Sequence, residues 1–351
     1  MPATESHLNP SVHNVISSET LPMTSSVIHH QPDLTFLDPL IKEVGIQKAI
    51  PAISKDPNLI KKIDSIIKAI PTHHKLILGD ARNFSEIEDE SIHLIVTSPP
   101  YWNLKKYHES DGQLGNIQDY DEFLAELGKV WSECHRVLVK GGRLIVVVGD
   151  VCIPRKQIGR HLVMPLHASI IESCRTIGFD NLSPIIWHKI ANATFEVNNG
   201  GGILGKPFEP NAVVKNDVEF ILMQRKPGAY RKPDTNKRLL STISQENHKK
   251  WFRQIWPDLP GASTRDHPAP YPVELSTRLI RMFSFVGDTV LDPFIGTGTT
   301  IISAAATGRN SIGIEIDPDY LEYAYQRLRK HGIMIDTPQF VKKFQRTLIE
   351  S

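Results

Sequence analysis

The chain has 351 residues with 40 Lys and Arg against 39 Asp and Glu, so bulk charge identifies no polyanionic partner and any basic surface has to be local. Its length can bury one large core with an insert and an arm. Three cysteines, Cys134, Cys152 and Cys174, form no close pair and leave one over, which argues against a disulfide framework and against zinc; no metal site is expected.

No apolar run approaches the roughly 18 residues of a membrane span, and the N-terminus lacks the basic-then-apolar pattern of a secretory signal. A cytoplasmic protein with no membrane partner is expected. Residues 1–35, rich in Ser, Thr, His and Pro, read as a disordered or loosely attached arm. Residues 36–70 carry helical patterns punctuated by Pro39, Pro51 and Pro57. The last of these patterns has apolar residues at 59, 60, 63, 66, 67 and 70, which predicts an amphipathic helix capping the domain that follows.

A short strand over 75–78 ends in Gly79-Asp80, and an apolar strand over 92–96 runs into Thr97-Ser98-Pro99-Pro100-Tyr101-Trp102. Two prolines end that strand and stiffen the turn, holding a hydroxyl, a free carbonyl and an aromatic ring in fixed relation at a sheet edge. A helix is predicted over 120–138, stopped by Lys140-Gly141-Gly142, and a strand over 144–148 ends in Gly149-Asp150. Next come a helix over 162–177, stopped by Gly178, and a strand over 185–189. Strands alternating with helices imply a mostly parallel sheet covered on both faces. Residues 191–216, with Asn198-Asn199-Gly200-Gly201-Gly202, read as a mobile loop before a strand over 218–223.

From Arg225 to Trp256 the composition turns basic, with nine Lys and Arg against Asp234 and Glu246 and with Tyr230, Trp251, Phe252 and Trp256 interleaved. Such an irregular segment suits phosphate contacts and base stacking. The solvated-loop reading stands beside it. The α/β pattern then resumes with a helix over 272–285 and a strand over 288–291, which leads into Asp292-Pro293-Phe294-Ile295-Gly296-Thr297-Gly298-Thr299-Thr300. A helix through Ala306, a strand over 311–314 and Glu315 follow.

Strand, glycine turn, helix, strand and acid is the layout of a nucleoside site. The glycines let backbone approach a ligand, and Glu315, 19 residues beyond Gly296, can accept hydrogen bonds from a ribose diol. A dinucleotide would want a third glycine and a helix N-terminus free for pyrophosphate, and Asp292 would repel phosphate. That carboxylate favours a cationic ligand such as S-adenosylmethionine.

Together the two motifs resemble the amino-methylating DNA methyltransferases, whose N6-adenine and N4-cytosine members share a Ser/Asp/Asn-Pro-Pro-aromatic signature. The catalytic block precedes the cofactor block, as in the circularly permuted beta class. The resemblance implies an α/β, class I methyltransferase Rossmann-like seven-stranded sheet with one reversed strand. It divides the chain into a catalytic half (71–225), a target-recognition region (226–262), a cofactor half (263–335) and a tail (336–351). Its implied cofactor is S-adenosylmethionine, held by Asp80, His267, Pro268, Asp292, Pro293, Phe294, Gly296, Gly298, Thr299, Glu315 and Ile316. Catalysis is assigned to Ser98, Pro99, Pro100 and Tyr101. DNA contacts are assigned to Trp102, Arg231, Lys232, Lys237, Arg238, Lys249, Lys250, Trp251 and Arg253.

In this reading the Ser98 hydroxyl and Pro99 carbonyl accept the N–H groups of a flipped amino base while Tyr101, helped by Trp102, stacks on it. A C5-cytosine enzyme would need a thiolate, usually after proline, and none of the three cysteines follows one. By the resemblance, serine at position 98 implies cytosine N4, since that family places Ser there most often in its cytosine members and Asp in its adenine members. The alternatives are adenine N6 methylation and a catalytically idle nucleic-acid-binding subunit. Expected partners are double-stranded DNA and, functionally, a cognate restriction endonuclease, with the chain as a monomer or homodimer.

Overall fold

The computed structural model describes residues 32–104, 112–189, 216–261 and 271–336. Ten strands are present among them: β1 (His74–Leu78), β2 (Ile92–Thr97), β3 (Leu138–Val148), β4 (Val151–Ile153), β5 (Leu162–Met164), β6 (Asp180–His188), β7 (Val218–Arg225), β8 (Ile255–Trp256), β9 (Thr289–Asp292) and β10 (Asn310–Glu315). Eight form one sheet in the order β1-β10-β9-β2-β3-β7-β6-β8, while β4 and β5 make a separate hairpin. Only β7 runs against its neighbours in the large sheet.

Alternation along the central strands builds two cores. Leu144, Val146 and Val148 of β3 pack on one face with Leu127, Val130 and Trp131 of the helix Tyr120–Val137. Ile145 and Val147 pack on the other with Leu275 and Leu279 of the helix Val273–Phe283. A two-residue side-chain period on strands buried on both sides produces this division. A third core joins the helices Ile46–Lys55 and Pro57–Ala69, through Ile53, Ile63 and Ile67, to Leu239, Leu240 and Val286. The N-terminal helices therefore cap the domain, tied by Ser54 donating to the Ile243 carbonyl (2.8 Å) and Arg281 to Asp64 (3.1 Å).

Four expectations are corrected. The sheet has an eighth strand, β8, because Ile186 N–H donates to the Gln254 carbonyl (2.7 Å) and the Trp256 indole fills the core beside it. Gly141-Gly142 does not stop the preceding helix. β3 already starts at Leu138, and Gly141, at φ 77, lets the strand meet the Lys226–Ala229 segment, where a Cβ would lie 2.7 Å from the Ala229 carbonyl oxygen. The helix over 162–177 starts only at Leu166, because Pro165 keeps Met164 extended in β5. The basic segment is not irregular: it holds the helices Thr235–Leu240 and Gln245–Trp251, capped by Asp234 and Ser244, which accept from Lys237 N (2.8 Å) and Asn247 N (3.1 Å). The glycine-rich loop over 191–216, apart from Asn216, lies outside the described residues, as do residues 1–31 and 337–351.

Candidate active site

Strands β1, β2, β9 and β10 are parallel, so their C-terminal ends open on one edge of the sheet. Chain order jumps between β9 and β2 there, and a crevice at such a switch is where open α/β sheets bind ligands. A cleft occupies the place. Among its walls are Asp80 and Ala81 after β1, Ser98 and Pro100 after β2, Pro293, Phe294 and Gly296 after β9, and Glu315, Ile316 and Tyr320 after β10, with Gly112, Gln113 and Leu114 alongside. Both sequence motifs thus share one cavity.

A hydrogen bond fixes them to each other. Thr97 Oγ1 donates to Asp292 Oδ1 (2.7 Å) across 195 residues of sequence. The same carboxylate accepts from Phe294 N (3.1 Å), Tyr271 OH (3.0 Å) and Thr300 Oγ1 (2.5 Å). Asp292 is 1 % exposed. Burial raises its pKa, opposed by the hydrogen bonds from Thr300, Thr97, Phe294 and Tyr271. Its carboxylate joins the two turns through these internal donors.

Glu315 is the acid that does line the cleft. Its carboxylate accepts from the backbone N–H of Gly296 (2.9 Å), Ile316 (3.1 Å) and Asp317 (3.1 Å). Burial pushes its pKa up to about 7 against those hydrogen bonds. Asp80 lies across the cleft. Burial pushes its pKa up, but the hydrogen bonds and charge of Arg82 outweigh that and hold it below the ordinary carboxylate value. Arg82 grips Asp80 with Nε (3.0 Å) and Nη2 (2.5 Å) and reaches Glu126 with Nη1 (2.6 Å).

Glycine is required at three points around this pocket. Gly296 and Gly298 have φ of 50 and 83, and a Cβ on Gly313 would meet Ile295 Cγ1 at 2.6 Å, so β10 admits the turn only without a side chain. Gly298 caps the helix Thr299–Ala306, but its N–H is already given to the Ile295 carbonyl (2.9 Å). Thr299 is 6 % exposed and its hydroxyl accepts from Arg327 (3.0 Å).

On the catalytic turn, Ser98 reaches the cleft while Tyr101 and Trp102 are 9 % and 8 % exposed. Trp102 has φ 49, a conformation costing a bulky residue about 1–3 kcal/mol. Its ring meets Tyr120 edge-on at 5.2 Å, and its indole N–H is buried with no partner among the described residues. Trp102 and Tyr101 both pack into the core beneath the turn. Trp251 (4 % exposed) is likewise core. Arg231 pairs through both terminal nitrogens with the buried Asp288 (2.6 and 2.5 Å), and Arg238 reaches Gln47 (3.3 Å). Lys232, Lys237, Lys249, Lys250 and Arg253 remain exposed. His267 and Pro268 lie outside the described residues.

Sequence reasoning missed Arg82, Gln113, Leu114 and Tyr320, and also Glu219, whose carboxylate pairs with Lys189 beside Tyr101. The i,i+2 spacing of Asp80 and Arg82 and the place of Tyr320 just after Glu315 were available signals; the approach of Glu219 was not, because it depends on strand register. Among the described residues no cluster of His, Cys, Asp and Glu forms a metal site, and no helix is long and apolar enough to cross a membrane.

A family model described as DNA methylase, spanning N6 and N4 enzymes, matches residues 92–326. The type II methyltransferase M.MjaI of Methanocaldococcus jannaschii is 42 % identical over 279 residues, covering 71 % of this chain and 88 % of its own. M.MthZI of Methanothermobacter thermautotrophicus, also a type II methyltransferase, is 35 % identical over 282 residues, covering 74 % and 77 %. Among solved structures, a candidate DNA modification methylase of Thermus thermophilus, crystallised with S-adenosyl-L-methionine, superposes with a TM-score of 0.62 at 50 % identity, covering 73 % of this chain and 93 % of that one. With the family match extending over most of the chain and both motifs opening on one cleft, this protein belongs to the N6/N4 DNA methylase family.

Proposed function

We propose that this chain methylates the exocyclic N4 amine of cytosine in duplex DNA at a specific site, with S-adenosylmethionine as methyl donor. The observation that carries the reading is the Thr97–Asp292 hydrogen bond, which holds Ser98 and the glycine turn on one cleft. The cleft fits the cofactor. Glu315 offers acceptor oxygens for a ribose diol, Asp80 a second carboxylate, and Gly296, at φ 50, a stretch of turn that lines the cleft without a side chain. Two carboxylates also suit a ligand with cationic groups better than one with phosphates.

When bound, S-adenosylmethionine supplies an electrophilic methyl group on its sulfonium. The protein's task is to make a poor nucleophile competent, since the amine lone pair is delocalised into the base. Ser98 Oγ and the Pro99 carbonyl accept its two N–H groups and turn the lone pair toward the methyl, while the Pro99-Pro100 turn limits reorganisation. Tyr101 stacks on the base that leaves the helix, and stacking of about 1–3 kcal/mol offsets part of the flipping cost. Lys232, Lys237, Lys249, Lys250 and Arg253 supply phosphate contacts. Arg155, Lys156 and Arg160, exposed on the β4–β5 hairpin beside the catalytic edge, add a basic surface that composition alone did not single out.

Adenine N6 is the second reading, because the matched family spans both chemistries; serine at position 98 is the feature that favours cytosine. The type II designation of M.MjaI supports a restriction-modification setting with a cognate endonuclease as functional partner. Modified-base sequencing of DNA from cells expressing the chain tests the reading. N4-methylcytosine in one recurring sequence is expected, and DNA without any new methylated amine would refute it.

A further inference from the structure

A half-buried acid on the reversed strand lies beside the Tyr101 hydroxyl. Glu219 stands near the start of β7 with its side chain 12 % exposed. One carboxylate oxygen pairs with Lys189, which follows β6, and the other lies 3.3 Å from the Tyr101 hydroxyl. Ser98 Oγ is 3.3 Å from that hydroxyl too, and the Val147 carbonyl also lies at 3.3 Å. Gly149 leaves the space for this convergence: a Cβ there would sit 3.3 Å from Glu219 Cγ and 3.5 Å from Tyr101 Cε2. These separations are long for O–H···O bonds, as is common before a substrate tightens a site.

The chemistry of the partners sets the direction of the chain. A carboxylate and a carbonyl only accept, and a phenol has a single proton to give. Tyr101 therefore donates toward Glu219 or Val147, and its oxygen takes the Ser98 proton. Ser98 is left with lone pairs facing the cleft it lines. That is the polarity needed to receive an amine N–H, and a serine rotor left to itself would present its hydrogen part of the time.

We propose that Glu219, held by Lys189, is a positioning residue that sets the direction of the Glu219–Tyr101–Ser98 hydrogen-bond chain, so that Ser98 acts as an acceptor for the target amine. The inference rests on the methyl-transfer reading above and adds a residue that touches neither base nor cofactor. Glu219→Gln keeps the shape but brings an amide that can donate to the phenol, so the chain can run backwards. Turnover should fall about tenfold, the rate equivalent of one hydrogen bond's net worth. KM for DNA, S-adenosylmethionine affinity and the thermal midpoint should stay close to those of the parent protein. In a Tyr101→Phe background the link is gone, so Glu219→Gln should have no further effect on kcat.

A second readout does not need turnover. The tyrosine ring doublet in the Raman spectrum reports whether a phenol donates, and the Tyr101 signal is isolated by subtracting the Tyr101→Phe spectrum. A donor signature is expected in the parent protein, weakened in Glu219→Gln. An unchanged doublet, or kcat losses that add fully in the double variant, would overturn the proposal. Should the parent protein methylate no DNA amine, the function proposed above fails, and the doublet still decides on the chain.

Discussion

The two turns that meet at the cleft are built in opposite ways. At the cofactor turn, Asp292 is buried and receives hydrogen bonds from Thr97, Phe294, Tyr271 and Thr300, so its polar capacity is spent inside the protein. At the catalytic turn, Ser98 still opens on the cleft, Trp102 holds a left-handed backbone, and the buried Trp102 N–H has no partner among the described residues. One turn is a saturated scaffold. The other holds a strained backbone and opens on the cleft. The comparison separates two acids of one motif: Asp292 spends its oxygens joining the turns, while Glu315 lines the cleft.

Substitutions that break this contrast should separate catalysis from stability. Ser98→Ala should produce the largest change in rate, a loss of about 100- to 1000-fold in kcat by analogy with deleting one preorganised polar group, with cofactor affinity retained. Full turnover on a substrate DNA would remove Ser98 from the chemistry. Asp292→Ala should instead act first on folding. It removes the acceptor of Thr97, Tyr271, Thr300 and the Phe294 N–H, leaving Tyr271 and Thr300 only each other, so a loss on the order of 3 kcal/mol is expected in denaturant unfolding. A variant as stable as the parent but unable to bind cofactor would assign Asp292 a ligand role instead.

Glu315 sharpens the comparison through pH. Its folded pKa of about 7 lies above the ordinary carboxylate value of 4.5, so the acid contributes stability that is present below about pH 4.5 and lost as pH rises through about 7. Cofactor binding has the opposite sign, because only the ionised form offers both oxygens to a diol. Affinity should rise about tenfold between pH 6 and 8, and Glu315→Gln should flatten that slope; calorimetry across the range reads both. A parent titration without slope would contradict the assignment. The smallest effects belong to the surface. Lys249→Ala with Arg253→Ala should reduce the salt slope of DNA binding by about two and leave kcat nearly unchanged, whereas an unaltered slope would place the DNA elsewhere.

Much of this architecture was legible because its determinants are local. Apolar runs ending in Gly79-Asp80, Ser98-Pro99-Pro100 and Asp292-Pro293 located the strand ends, and those ends line the cleft. Within the basic segment, Arg231 and Trp251 could not be told from surface residues, because composition does not distinguish a charge facing solvent from one paired with a distant acid. Arg231 serves Asp288, 57 residues away, and Trp251 fills the core. Helix caps at Asp234 and Ser244 were readable and argue against an irregular segment. The meeting of Glu219 with Tyr101 spans 118 residues and depends on the antiparallel β3–β7 register, which no local pattern encodes.

The central claim is that Ser98, held beside the cofactor turn, directs methyl transfer to the N4 amine of cytosine. Its most direct test is mass spectrometry of nucleosides from DNA treated with purified protein and methyl-labelled S-adenosylmethionine, run in parallel with Ser98→Ala. Labelled N4-methyldeoxycytidine from the parent protein and almost none from the variant is the expected result. Label in N6-methyldeoxyadenosine instead, or equal N4 product from Ser98→Ala, would contradict the account.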